Sequence, residues 1–63
     1  MNKFQYVGEI TLGSDFPTLR EALLVLVPKV KEETNAEYVE IHQVVPYLND
    51  SFFTVIMNVY TKN

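Results

Sequence analysis

Residues 16–34 form the only segment of this 63-residue chain with the apolar spacing of an amphipathic helix. A rotation of 100° per residue gathers its core-facing side chains into one stripe: Leu19, Ala22, Leu23, Leu26, Val27 and Val30. The remaining apolar residues follow the two-residue period of β-strands. A single helix must therefore bury its stripe against a sheet, which limits the chain to the α+β class.

Pro28 lies inside this helix, on the side opposite the core stripe. A proline there removes one backbone hydrogen bond and usually bends the helix. The freed carbonyl belongs to Leu24, which lies on the same outward side and can reach water. The sequence predicts a kinked helix whose outer face is apolar, formed by Leu24, Val25 and Pro28. Such a patch indicates an interface, although a merely exposed surface is the alternative.

Two signals compete for the start of the helix, and one marks its end. Ser14 or Asp15 can serve as the N-cap, or Thr18 and Glu21 can form a capping box. Asn35 is typical of the left-handed residue that follows a helix. Both starts place the helix over roughly residues 16–34.

Alternating apolar and polar residues predict strands at 3–12, 37–45 and 52–61. The third is apolar on both sides, which favours a central position in the sheet. Residues 46–51 are rich in turn formers and exceed a two-residue hairpin loop.

The expected fold is an α+β domain over residues 1–63, with the element order β-α-β-β. The third strand pairs antiparallel with the second through the loop and with the first on its other side. A right-handed crossover through the helix joins the first and second strands. The sequence thus predicts a three-stranded antiparallel sheet, order 1-3-2, with one kinked helix on one face.

The face of the sheet that the helix leaves uncovered is expected to mix aromatic, aliphatic and polar side chains. A solvated face is mostly polar, whereas an aromatic-rich face with few central charges is typical of an interface. We interpret this face as a binding or subunit-contact surface, with six candidate residues: Tyr38, His42, Val44, Phe52, Ile56 and Tyr60. The aromatic rings could instead stack a planar ligand.

Catalytic chemistry has little support in the sequence. Histidine is the side-chain type most used as a general base, and His42 follows Glu40 on the same strand face, which permits that interpretation. No nucleophile or second acid stands at a recognisable spacing, so we expect no catalytic residues and no enzyme. The acidic residues Glu32, Glu33, Glu37 and Glu40 are interpreted as solvated ends of helix and strand, because the ligand spacing of a calcium loop is missing.

Composition sets further limits. With no cysteine and one histidine, thiolate and multi-histidine metal sites are excluded. The net charge is −3 with no basic patch, so nucleic-acid binding is not expected. The longest apolar run, residues 22–27, is too short to span a bilayer. The first residues have no signal-peptide core, so we expect a cytoplasmic protein without membrane partners. A domain this small usually needs a disulfide, a metal or an oligomer to be stable. With the first two excluded, oligomerisation is the remaining source of stability, and a well-packed monomer is the alternative.

Two segments, GSDFPTLREAL at 13–23 and AEYVEI at 36–41, give the chain a resemblance to dodecin, a family of small flavin-storing proteins. The resemblance implies a closed homo-oligomer. In that family a tryptophan that opens the second strand stacks on the flavin, and Tyr38 stands there in this chain. A glutamine of its third strand contacts the flavin, and the nearest position here is Phe53. With both residues changed, the sequence itself predicts no cofactor, and flavin enters through the resemblance alone.

Two functions follow as hypotheses. The first is a small non-enzymatic homo-oligomer that binds or scaffolds through its open sheet face, which includes a dodecin-like small-molecule binder. The second is a small regulator or inhibitor, as among phage and sporulation proteins of similar size, that docks a larger protein partner.

Overall fold

A computed structural model describes residues 2–47 and 49–62 of the chain. The described elements are β1 (Asn2–Thr11), α1 (Leu19–Thr34), β2 (Tyr38–Tyr47) and β3 (Asn49–Thr61). Their sheet is antiparallel with the order β1-β3-β2. The predicted α+β class, element order and central third strand are confirmed.

Strand β3 carries the centre of the core. Its side chains Val55, Met57 and Val59 have no exposed surface, because α1 covers them and a strand lies on either side. Three further buried hydrophobic residues complete the cluster: Ile10, Ala22 and Val30. Gly8 permits close packing of the helix on β1. A Cβ atom at Gly8 would stand 3.3 Å from the Met57 Cε atom and 3.4 Å from a methyl carbon of Leu26.

Strands β1 and β3 pair without interruption from Asn2↔Thr61 to Thr11↔Phe52. One residue further, the backbone N–H of Leu12 donates to the Ser51 carbonyl over 2.7 Å. Since backbone direction alternates along a strand, the even-numbered residues of β1 point their N–H and C=O groups towards β3. The odd-numbered residues point theirs towards the free edge of the sheet.

Strand β2 is less regular than predicted. Its register with β3 steps from Ile41↔Met57 to Gln43↔Ile56, which leaves His42 as the extra residue of a β-bulge. A second shift separates Pro46 and Tyr47.

The turn predicted over 46–51 is wrong for every described residue in that range. Residues 46–47 and 49–51 all lie in strands, and Tyr47 pairs with Asn49. Position 48 lies outside the described residues. Pro46 fits within β2 because its partner Phe53 points its backbone groups towards β1. The missing N–H of Pro46 therefore removes no ladder hydrogen bond from this edge strand.

The structure at the ends of α1 shows which of the predicted cap residues form the caps. The helix begins at Leu19, and the Glu21 N–H donates to the Thr18 hydroxyl oxygen over 3.2 Å, so Thr18 is the N-cap. Asn35 adopts the predicted left-handed conformation, with φ of 53°. Beyond it, the Ala36 N–H donates to the Lys31 carbonyl over 3.0 Å. This bond belongs to the Schellman pattern of helix ends.

Helix α1 continues through Pro28, which is exposed, as is Leu24 one turn earlier. The outward position predicted for this proline is confirmed, while the bend stays a prediction. None of the helices in the described part of the chain is long and apolar enough to cross a membrane.

We expect Thr18→Ala to lower the free energy of unfolding by about 1 kcal/mol, because it removes the side-chain acceptor of the helix cap. Urea denaturation followed by circular dichroism measures the loss. Ser14→Ala is the matched control, since Ser14 was the competing cap and lies outside the helix. Equal losses for the two variants would contradict the assignment of the cap.

Candidate functional site

The open face of the sheet is the surface opposite α1, and the pairing registers define it. Row by row across β1, β3 and β2, it consists of Lys3, Tyr60 and Tyr38, then Gln5, Asn58 and Glu40, then Val7, Ile56 and Gln43, then Glu9, Thr54 and Val45. Thr11 and Phe52 extend it on β1 and β3. Four of the predicted interface residues lie on it: Tyr38, Phe52, Ile56 and Tyr60.

The position predicted for Val44, on the open face, is wrong. Val44 pairs with the fully buried Val55 and packs against the core under the helix. The bulge at His42 shifts the alternation of β2 by one residue, so Val45 takes the place on the open face that Val44 was expected to have. Val45 is 37% exposed. His42 is exposed and stands at the bulge itself.

Aromatic rings and a cation meet in the first row of the face. The ring centroids of Tyr38 and Tyr60 lie 5.5 Å apart, with an angle of 34° between the ring planes. The Lys3 Nζ atom lies 5.7 Å from the centroid of the Tyr60 ring, within the range of a cation–π contact. The row is therefore a preformed aromatic surface with one positive charge at its margin.

The second row holds a hydrogen-bonded polar group at the centre of the sheet. Asn58 is only 5% exposed. Its Nδ2 atom donates to Glu40 Oε1 over 3.1 Å, and the Tyr60 hydroxyl donates to the same oxygen over 3.3 Å. The Asn58 Oδ1 atom is buried and has no hydrogen-bond partner within residues 2–47 and 49–62. Gln5 lies directly across from Asn58 and is exposed.

This row also bears on the general-base interpretation of His42. The carboxylate that the alternation placed beside His42 instead accepts hydrogen bonds from Asn58 and Tyr60 through its Oε1 atom. Within the described ranges, no three His, Cys, Asp or Glu side chains form a group that could hold a metal ion.

Half of the residues in the lower rows of the face are apolar. Val7 is 61% exposed, Phe52 is 36% exposed, and Ile56 lies between them on the sheet at intermediate burial. Together with Val45 they form an apolar patch that crosses all three strands. Water covers this patch in an isolated copy of the chain, which is unfavourable in proportion to its apolar area.

The outer face predicted for the helix is divided in two. Leu24 and Pro28 line a groove that runs between α1 and the edge strand β2, where it meets Ile41. Val25 lines a different groove, on the β1 side of the helix, together with Thr11 and Phe16. All three predicted residues are exposed, and they line two different grooves.

One titratable contact joins the sheet to the helix near its C-terminus. The Tyr6 hydroxyl donates to Glu33 Oε2 over 3.2 Å. This hydrogen bond and the negative charge of the Glu33 carboxylate raise the pKa of the Tyr6 phenol above its usual value. The contact ties β1 to the last turn of α1.

No family model, no curated protein and no solved structure matches the chain. The resemblance to dodecin therefore stands at the level of a small β-α-β-β fold with a three-stranded antiparallel sheet. Its two flavin positions do not meet in one copy of the chain. Tyr38 lies on the open face, whereas Phe53 packs against the core on the side of the helix.

Sequence reasoning placed Glu40, Asn58 and Tyr60 on one face but did not predict that they form hydrogen bonds with one another. Alternation along each strand gives the face of a residue, and only the register between strands gives its neighbours. A polar Asn in the middle of the most apolar strand was the available signal.

We expect Glu40→Ala to lower the free energy of unfolding by about 1–3 kcal/mol, because the buried Asn58 carboxamide loses its remaining partner. Glu37→Ala is the matched control, since this exposed residue contributes a backbone N–H, which the substitution leaves in place. Urea denaturation at one fixed protein concentration compares the two. A loss no larger than that of the control would show that the Asn58–Glu40 hydrogen bond does not stabilise the fold.

Proposed function

We propose that the protein is a non-enzymatic binding or scaffold protein that acts as a homo-oligomer and uses the open face of its sheet to contact a second copy. The observation that carries this proposal is the number of large apolar side chains left exposed. Within the described residues, nine large hydrophobic residues are exposed, against six that are buried and eleven that pack partly buried against those six. A fold this small gains stability by covering such residues through association.

The open face has the composition of a protein interface. Its exposed large hydrophobic residues are Val7, Tyr38, Val45 and Phe52. The charged residues lie towards its margins on the two edge strands, as Lys3 and Glu9 on β1 and Glu40 on β2. Protein interfaces are enriched in aromatic side chains and depleted of charges at their centre, and this face keeps its charged residues on the edge strands.

The dimensions of the chain suit a second copy as the occupant. An interface of ordinary size covers about 800 Å² on each partner, and the whole chain has a surface of 4534 Å². Two sheets packed face to face lie about 10 Å apart and align their strands, with a helix layer on each outer side. Such an arrangement buries the apolar patch of both copies against itself.

The resemblance to dodecin supports only the homo-oligomeric part of this proposal. The separation of Tyr38 and Phe53 on opposite sides of the sheet gives no reason to propose flavin as a ligand.

We expect sedimentation equilibrium to give a mass above the 7.3 kDa monomer, and Val45→Lys to raise the dissociation constant about tenfold or more. The physical reason is that a charge is placed within the apolar patch that the second copy would cover. Ser14→Lys is the matched control, since it adds the same charge at an exposed loop position. Unchanged association of Val45→Lys would contradict the use of the open face.

The outer side of the helix is tested by the same measurement. We expect Leu24→Lys to weaken association more than it lowers the free energy of unfolding, because Leu24 is 60% exposed and packs little within one copy. An unchanged mass would show that this groove is only exposed surface. A protein that stays monomeric and captures one larger host protein through the open face would favour the regulator or inhibitor hypothesis instead.

A further inference from the structure

The two edges of the sheet differ in how well they can accept another strand. Strand β2 is broken by the bulge at His42, by Pro46 and by a register shift, which are common devices against edge pairing. Strand β1 has ten residues in unbroken register with β3, and it contains neither a proline nor a bulge. Its odd-numbered residues therefore offer a regular row of outward backbone donors and acceptors.

We propose that β1 is a second self-association surface, through which two copies pair antiparallel around a two-fold axis at Tyr6 and join their sheets into one of six strands. The proposal does not rest on the open face, because the edge and the face are different surfaces.

Backbone geometry permits this register. An antiparallel pair around Tyr6 places Gln5 opposite Val7 of the second copy and Lys3 opposite Glu9. All four residues are odd-numbered, so their N–H and C=O groups already face the free edge. The pairing forms about eight backbone hydrogen bonds in total, two for each directly bonded residue pair.

Charge selects this register among the possible ones. Lys3 and Glu9 lie three residues on either side of Tyr6, and both project from the open face. In the proposed pair each Lys3 directly faces a Glu9, twice per dimer. A shift of two residues in either direction removes both pairs. Opposite charges that face each other across strands stabilise pairing.

Shape supports the same register on the side of the helix. Phe4 lies there opposite Val59, yet it is 43% exposed. In the proposed pair Phe4 lies opposite Gly8 of the second copy, where no side chain occupies the strand. Gly8 lines a groove of about 300 Å³ between β1 and α1, floored by Leu26 and Val30. Leu26 and Met57 already fill the space over the Gly8 Cα atom, so in the proposed pair the exposed ring lies against Leu26 in this groove.

The helices do not obstruct the pairing. Helix α1 contacts all three strands, so it lies over the middle of its sheet. The β3 strands of the two copies, which lie under the two helices, are three strand spacings apart in the six-stranded sheet, or about 14 Å. Helices pack at about 8–10 Å, so the two copies leave room for Phe4 and Tyr6 between them. Lys29 and Glu33 line the same groove and bring charges of both signs to the seam.

Charge reversal tests the register. We expect Lys3→Glu and Glu9→Lys each to raise the dissociation constant about tenfold or more, because every facing pair becomes repulsive. A one-to-one mixture of the two variants restores association, since each mixed pair is again opposite in charge. The double variant restores it as well. Single variants that associate like the wild type, or a mixture that fails to recover, would overturn the proposal.

Hydrogen exchange of the backbone amides separates this edge from the open face. In the edge-paired state the N–H groups of Lys3, Gln5, Val7 and Glu9 exchange slowly, as their even-numbered neighbours already do through β3. Dilution below the dissociation constant restores fast exchange at the odd positions alone. Fast exchange at these positions in wild-type protein at up to about 1 mM would overturn the proposed pairing through β1, whatever oligomeric mass sedimentation gives. Val45→Lys alters the open face alone, so we expect it to leave the slow exchange of the odd-numbered β1 amides unchanged. The open-face proposal and the edge proposal can therefore be contradicted separately.

Two proline substitutions in β1 separate a loss of edge pairing from a loss of folding. Gln5→Pro removes one outward N–H within the paired segment, and Thr11→Pro removes an equivalent N–H beyond it. We expect only Gln5→Pro to abolish the concentration-dependent protection. Loss of protection in both variants or in neither would contradict the register, while circular dichroism confirms that both retain the fold.

Discussion

The burial of β3 beneath α1 is the interaction on which the rest of the structure depends. Val55, Met57 and Val59 have no exposed surface, and they alternate along a strand whose other side faces away from the helix. A helix of 16 residues can cover only one face of a three-stranded sheet. The open face and the free edges are therefore consequences of the same packing that forms the core.

Much of this fold could be predicted from the sequence because it depends on periodicity. The helical stripe, the left-handed Asn35 and the apolar third strand each gave a local signal that agreed with the final arrangement. The β-bulge at His42 gave no such signal, since it arises from how β2 meets its neighbour. The assignment of Val44 failed for that reason, and the hydrogen bonds of Asn58 were missed because they also depend on the register.

The prediction of a turn before β3 failed for a related reason. Pro46 resembled a strand terminator when only local propensity was considered. In the sheet its nitrogen belongs to an edge strand opposite Phe53, where no hydrogen bond is needed. Tertiary position thus overrode a strong local preference. The candidate surfaces also depend on tertiary position, because the exposure of Val7 or Phe4 is set by the strands and helix around it in the assembled sheet.

The bulge at His42 gives β2 two phases of alternation within ten residues. Before it, odd-numbered residues face the helix, and after it, even-numbered residues do. Polar substitutions are therefore expected to be tolerated at even-numbered positions before His42 and at odd-numbered positions after it. A deletion of His42 itself would remove the extra residue and leave the buried and exposed sets beyond it unchanged, because Gln43 would then follow Ile41 in regular alternation. The faces of this strand thus depend on its register with β3 as well as on the identity of its side chains.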